Sequence, residues 1–568
     1  MSRHHCENLP PAFAEAASRR QGAPLCPLGQ FPARRVLQLG ERPSGPEAKE
    51  GNYSSVALVA ILALTFYLRL LFFGQMIDAD VGNLGYMGWR MAEGEVLIDL
   101  EGPGKPPLYS MLYALFVQGF GPSVLGLKMF GALFVLMAVI SIYWLANKAY
   151  GKEIGLLAAL FFGVFSSGPM VEGGTVNLET LLHLPSILAI GFFLNGSISG
   201  QLRWYFLAGL CAAMATLVKQ VGGVLFFVFF CSGIHGEWEK KGWIWRYLLL
   251  GTGGLVPVIG VIFFYIFYGY TLNDLYDSVL GSNLKYLQRG YMDTSMINYF
   301  FSSMKKIFLE NSLLWIGTIF STLYLGGMIF RGKGKDSDRI LLWWAFWSIA
   351  ILWIRGVFYA HYFLQIIAPF SVLAAYGVGI AWKLTQKLPS LPKYVSRGVW
   401  AIILIITSIF FIQTDYKHFF SYTPIEQTVF QYKGLDGIID EYGYGIYNVV
   451  QQGVAAYIRD HTDPKDTIYI WGVAPQVYYL AQRRAATRYR NNYNLSENVT
   501  HDPFSALQAF APIVMEEIRR TPPAYVVQMI RLEDFPELQT FIWDHYEIEE
   551  IFEIPGSNRK VNLYRRQS

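Results

Sequence analysis

The chain has 568 residues, 53% of them hydrophobic and only 15% charged, against about 25% charged in an ordinary soluble domain. Such a composition excludes a disordered chain and argues against a soluble enzyme, and 46 Lys+Arg against 42 Asp+Glu leave a surplus of +4, too small over this length to imply nucleic-acid binding. The chain reads as a polytopic α-helical membrane protein.

Residues 1–53 form a polar tail rich in Pro, Arg and Gly, with no signal-peptide core near Met1, and read as a disordered cytoplasmic tail or an overextended start. Cys6 and Cys26 lie in this tail and Cys211 and Cys231 in apolar runs, so the cysteine spacing shows neither a disulfide framework nor a zinc site. From Ser54 to Gln413 apolar runs dominate, and eleven crossings are expected: 54–74, 122–146, 154–170, 179–196, 204–218, 220–234, 245–268, 309–330, 340–354, 362–382 and 398–413. The stretch 204–234 is long for one crossing and short for two; Lys219-Gln220 at its middle favours a break at a membrane face. With the N-terminus inside, the inner loops carry 14 Lys/Arg in 50 residues and the outer loops 7 in 87, as the positive-inside rule requires. That parity places the region after Gln413 outside. Residues 107–120 are too few for a comfortable span and are expected to form an interfacial helix on the outer face.

Residues 414–568 are polar and mixed. Strands are expected at 467–471 and 524–529, helices at 476–482, 505–519 and 536–543, and a closing hairpin from 546–554 and 560–565, which together suggest a small extracytoplasmic α/β domain. Arg483, Arg484, Arg488 and Arg490 form a basic cluster, either a solvated or interdomain face or a contact for an anionic acceptor or lipid head groups.

The first outer loop, 75–106, holds six acids: Asp78, Asp80, Glu93, Glu95, Asp99 and Glu101. Asp78 and Asp80 fall just beyond the first crossing, and Lys105 follows a turn at Gly102-Pro103-Gly104. A carboxylate at this boundary can act as a general base toward a hydroxyl, and a lysine at the same depth can hold a phosphate. The plainer alternative is that the aspartates cap a following helix and Lys105 snorkels.

The carboxylate loop, Trp89-Arg90-Met91-Ala92-Glu93-Gly94, Gly102-Pro103-Gly104-Lys105-Pro106-Pro107-Leu108-Tyr109 and the spans that follow resemble the C-type (GT-C) polyprenyl-phosphate-dependent glycosyltransferases, within them the protein O-mannosyltransferase and lipid A aminoarabinose transferase superfamily. Thr216-Leu217-Val218-Lys219, Ala360-His361-Tyr362-Phe363-Leu364 and the segment Ile468 to Tyr479 match further habits of that family, over roughly 54–490. The family carries Asp-Glu at the base position; here Asp80 takes the aspartate's place, Val81 stands for the glutamate, and Asp78 is the other carboxylate available.

The resemblance implies a membrane glycosyltransferase moving a sugar from a polyprenyl-phosphate donor to an acceptor hydroxyl on the extracytoplasmic face, with inversion. It implies Asp80, with Asp78 as alternative, as base, and Lys105, Lys219, Arg355 and His361 as donor-phosphate contacts. Snorkelling or interfacial anchoring is the other reading of Lys219, Arg355 and His361. Glu172, Asn177 and Glu179 on a short outer loop are candidates for sugar or acceptor contact, or for ordinary loop solvation. No cofactor is expected, although Asp-Ala-Asp is a possible divalent-metal ligand pair. The expected partners are the lipid-linked donor, a protein, lipid or polysaccharide acceptor, and membrane lipid, and the expected location is the inner or plasma membrane. The competing class is a lipid-linked-substrate transporter or flippase, against which stand the absence of an internal repeat and the gathering of acids in one outer loop. A third reading is a binding or sensor protein working through its outer domain.

Overall fold

The computed structural model describes residues 47–98, 104–281, 311–355, 359–386, 444–490, 503–554 and 559–567, with short pieces between 284 and 309. The expected crossing at 398–413 and most of the tail 1–53 lie outside the described residues.

Helices run in order α1 (Glu47–Leu70), α2 (Ala79–Ala92), α3 (Leu108–Phe120), α4 (Val124–Tyr150), α5 (Lys152–Phe165), α6 (Leu178–Ser199), α7 (Leu202–Val218), α8 (Val224–Ile234), α9 (Trp243–Phe267), the short α10 (Leu272–Tyr276), α11 (Ser312–Phe330), α12 (Asp336–Arg355) and α13 (Leu364–Gln386). Among the described residues, six helical segments are long and apolar enough to cross a membrane: Tyr53–Leu70, Val124–Tyr150, Leu178–Ser199, Trp243–Phe267, Ser312–Phe330 and Ala360–Gln386. The apolar segments Leu108–Phe120, Leu202–Val218 and Gln220–Ile234 are shorter.

Local chemistry sets the boundaries. Ser123 caps α4, its Oγ accepting from Gly126 N at 2.9 Å. The run 204–234 breaks where expected: α7 ends at Val218, Lys219 is extended, and a 3₁₀ turn over Gln220–Gly223 leads into α8. Proline lies within α6 (Pro185), α9 (Pro257) and α13 (Pro369), which packed neighbouring helices tolerate.

The described residues between 444 and 567 build a sheet module. It comprises α14 (Tyr444–His461), β1 (Thr467–Trp471), α15 (Gln476–Ala481), β2 (Arg484–Ala485), α16 (Pro503–Arg520), β3 (Tyr525–Gln528), α17 (Pro536–His545), β4 (Tyr546–Glu553) and β5 (Lys560–Arg566). Strand order is β2-β1-β3-β5-β4; β1 pairs in parallel with β2 and β3, and β5 runs antiparallel to β3 and β4. In the parallel centre Ile468, Tyr469, Ile470, Val526 and Val527 are all buried, so both faces are covered. One face packs on Val514, Ile518, Leu538 and Ile542. The other, through Ile468, Ile470 and Val527, joins a single apolar core that continues through Tyr478 and Tyr86 into the helical bundle.

Candidate active site

Asp78-Ala79-Asp80 opens α2. Asp78 is its N-cap, Oδ1 accepting from Val81 N at 2.7 Å, and Asp80 sits in the first turn, where the helix dipole favours negative charge. The capping alternative thus holds for Asp78. The side chain of Asp80 is 59% exposed and accepts from Lys105 Nζ at 2.6 Å.

Lys105 is placed by its neighbour. Ser278 O approaches Gly104 so closely that a Cβ there would lie 1.6 Å from it, so only glycine fits. Gln220 Nε2 donates to Gly104 O at 2.8 Å and to Val279 O at 3.1 Å, fixing the residue beside Lys105 to the residue beside Lys219. Lys219 Nζ donates to Glu179 and lies 4.2 Å from the centroid of the Tyr362 ring. A small cavity adjoins this pair, lined also by Val221, Leu352 and Gln365.

Glu172 adopts the left-handed conformation (φ 53°, ψ 34°), a sparsely populated state for a residue with a Cβ. Its Oε2 is 2.8 Å from His361 Nδ1, in the 3₁₀ turn Ala360–Phe363. Asn177 is buried and donates from Nδ2 to Thr175 Oγ1 at 2.9 Å, shaping the 172–177 turn. The backbone of Arg355 ends α12; its side chain lies outside the described residues.

Three acid–base pairs, Asp80–Lys105, Glu179–Lys219 and Glu172–His361, therefore converge from five separate stretches of chain. His361 acts electrostatically on both Asp78 and Asp80, and Lys219 on Asp80. The two aspartates are driven apart. Desolvation, with the neighbouring Asp80 charge, pushes the Asp78 carboxyl up to about 6 against the pull of its Val81 bond. Desolvation also raises Asp80, but the charge and hydrogen bond of Lys105 outweigh it and hold the carboxyl at about 2. Among the described residues no three His, Cys, Asp or Glu side chains converge as ligands for a metal, and Asp80 is engaged by a lysine instead.

Several participants were not visible as such in the chain. In the sequence Gln220 stands out only as part of a break, and Tyr362 only as part of a motif. Lys128, 3% exposed and within electrostatic reach of Asp78, stands in the apolar run of α4; a lysine in such a run is the signal that marks it. Arg69, near the end of α1, is 5% exposed and donates to Ser166 O at 3.2 Å, because it faces the bundle. The basic cluster is not one solvated face. Arg483 is buried and bonds the carbonyls of Arg459 and Thr462, Arg488 pairs with Glu517, and Arg490 is buried against α2.

Residues 104–264 match the family model described as dolichyl-phosphate-mannose-protein mannosyltransferase. That match begins beside Lys105 and takes in Glu172, Glu179 and Lys219. The resemblance read from the sequence holds. The fold is similar to that of ArnT from Cupriavidus metallidurans, solved with undecaprenyl phosphate bound, with a TM-score of 0.56 at 15% identity over 90% of this chain and 97% of that one. It is also similar to the Archaeoglobus fulgidus oligosaccharyltransferase in its apo form, with a TM-score of 0.52 at 14% identity over 92% of this chain and 75% of that one. The oligosaccharyltransferase AglB from Archaeoglobus fulgidus, in complex with an inhibitory peptide and a dolichol-phosphate, matches with a TM-score of 0.51 at 12% identity over 91% of this chain and 75% of that one. No curated protein sequence matches the chain. The chain thus shares the fold of these solved structures.

Proposed function

We propose that the protein is an integral-membrane glycosyltransferase that moves a sugar from a polyprenyl-phosphate carrier to an acceptor hydroxyl on the extracytoplasmic face, inverting the anomeric centre. The observation that carries this reading is the Asp80–Lys105 pair, tied through Gly104 and Gln220 to Lys219. One carboxylate and two lysines thereby stand at one place. The family match and the fold support a lipid-linked donor, and neighbours solved with undecaprenyl phosphate or with dolichol-phosphate and a peptide fit it. They lend nothing to the transporter reading.

Arrival of the donor phosphate draws Lys105 away from Asp80, and the freed carboxylate becomes a stronger base. The acceptor hydroxyl loses its proton to Asp80 and its oxygen bonds the anomeric carbon while the bond from that carbon to the phosphate oxygen breaks. Lys105 and Lys219 stabilise the charge left on the departing lipid phosphate, with Arg355 and His361 as further contacts. Glu172 holds His361, Glu179 holds Lys219, and Asn177 shapes the turn against which sugar or acceptor would rest.

Eleven crossings, a cytoplasmic N-terminus and an extracytoplasmic module after Gln413 complete the proposed arrangement. The acceptor is a hydroxyl on a protein, lipid or polysaccharide. Purified Asp80→Asn and Lys105→Ala variants, given labelled polyprenyl-phosphate sugars, are expected to lose transfer by about 10²–10⁴-fold and 10²–10³-fold respectively. Full transfer by both ends the assignment.

A further inference from the structure

Asp80 rides on α2, and α2 is packed between α3 on one side and α15 of the sheet module on the other. The contact with α15 is made backbone to backbone. A Cβ on Gly82 would lie 2.2 Å from Gln476 Cβ and 2.3 Å from its Cα, and one on Gly85 would lie 3.2 Å from the Tyr479 ring. Gln476 therefore bears on the helix two residues beyond Asp80. Polar bonds cross the same seam. Tyr86 OH accepts from Ala485 N at 2.9 Å. Arg490, 2% exposed, donates from Nε to Asn83 Oδ1 at 3.2 Å and from Nη2 to Ile98 O at 3.5 Å. Its guanidinium thus grips α2 at Asn83 and the stretch that follows α2 at Ile98.

The module is itself anchored elsewhere. Tyr479 OH donates to Ser123 O at 2.9 Å, and Gln482, held at φ 53°, donates to Pro122 O at 2.8 Å, both at the turn between α3 and α4. It therefore spans from the α3–α4 corner of the bundle to the helix that carries Asp80.

We propose that the sheet module is a positioning element for sugar transfer, with Arg490 and Gln476 as positioning residues that hold Asp80 over Lys105 by gripping α2 at Asn83 and Gly82. This rests on the reading of Asp80 as the base. Asn83 is about 4.5 Å along the helix from Asp80, so the grip acts within one turn of the carboxylate. Displacement of a reacting group by 1 Å lowers rate by roughly 10²-fold.

The test measures position and chemistry separately, on the full chain in lipid nanodiscs. In a background with the native cysteines replaced, Asp80→Cys and Lys105→Cys are joined by a short bis-methanethiosulfonate reagent. Adding Gly82→Ala or Arg490→Ala is expected to slow cross-linking by roughly tenfold, and Arg490→Lys, which keeps the charge but not the planar fork, to slow it less. Tyr86→Phe, a single hydroxyl removed, gives a measurable slowing without threatening the fold. Unchanged cross-linking in all four overturns the proposal.

In the otherwise native chain, Arg490→Lys is expected to lower kcat for an undecaprenyl-phosphate-linked sugar while leaving KM unchanged. A raised KM with kcat intact overturns positioning in favour of binding. If the native chain transfers from no such donor, the functional reading fails while the cross-linking result stands by itself.

Discussion

Asp78 and Asp80 are two residues apart and chemically different. The carboxyl of Asp80 is held at about 2 by Lys105, so it is ionised at any physiological pH, whereas that of Asp78 is pushed up to about 6. A raised carboxyl means the folded protein keeps a proton that the unfolded chain has already lost between about pH 4 and pH 6, so stability falls as pH rises through that window. Asp80 works the other way: its contribution is complete above its ordinary value and is lost only as pH falls toward about 2. Asp78→Asn keeps a side chain able to cap α2 but removes the titration. Its melting temperature, relative to the native protein, is expected to rise steadily from about pH 4.5 to about pH 6.5 and then to level off. A pH-independent difference would show that Asp78 does not titrate there. The presence of both acids was legible in the chain, since charges so near an apolar run stand out. Their division of labour was not, because it depends on Lys105 and His361, which reach them only through the fold.

At the scale of elements, the pairs knit helices together. Glu179 at the start of α6 is 2% exposed and Lys219 at the end of α7 is 9% exposed in its side chain, so neither can turn to water if the other is lost. Lys219→Met is expected to cost about 3–5 kcal/mol in denaturant unfolding, while adding Glu179→Gln restores much of that without restoring transfer. A double variant no more stable than Lys219→Met would deny the coupling. Periodicity and turn residues marked β1, β3, the β4–β5 hairpin and the break at Lys219 before any fold was known. The helix α14 and the two-residue strand β2 were not marked. β2 is defined only by its register with β1, Thr467 opposite Arg484, and such a pairing leaves no local pattern. The Glu172–His361 contact likewise joins residues 189 positions apart, beyond the reach of any spacing rule.

Across the whole molecule, α6 runs from the site to a second polar network. Glu237, 3% exposed in its side chain, accepts from Ser197, Tyr205, Lys240 and Arg246, and Lys240 also bonds Asp336 at 2.6 Å. From Glu179 to Ser197 the helix rises about 27 Å, close to the roughly 30 Å of a bilayer's hydrocarbon core. The two clusters thus mark opposite ends of the bundle. Exposed cysteines placed at Lys241 and at Glu95 are expected to react with an impermeant thiol reagent from opposite sides of sealed vesicles, Glu95→Cys from the extracytoplasmic side. Labelling of both from one side would refute the orientation.

The self-paired lysines have a consequence for selectivity. With Lys105 on Asp80 and Lys219 on Glu179, the two lysines offer a dissolved anion little net attraction, and any such anion must first break a pair. A phosphate tethered to a chain already dissolved in the bilayer meets the same barrier at a far higher local concentration. Inorganic phosphate and soluble sugar phosphates should therefore compete feebly, and discrimination among phosphorylated compounds would reside in the hydrocarbon tail more than in the head.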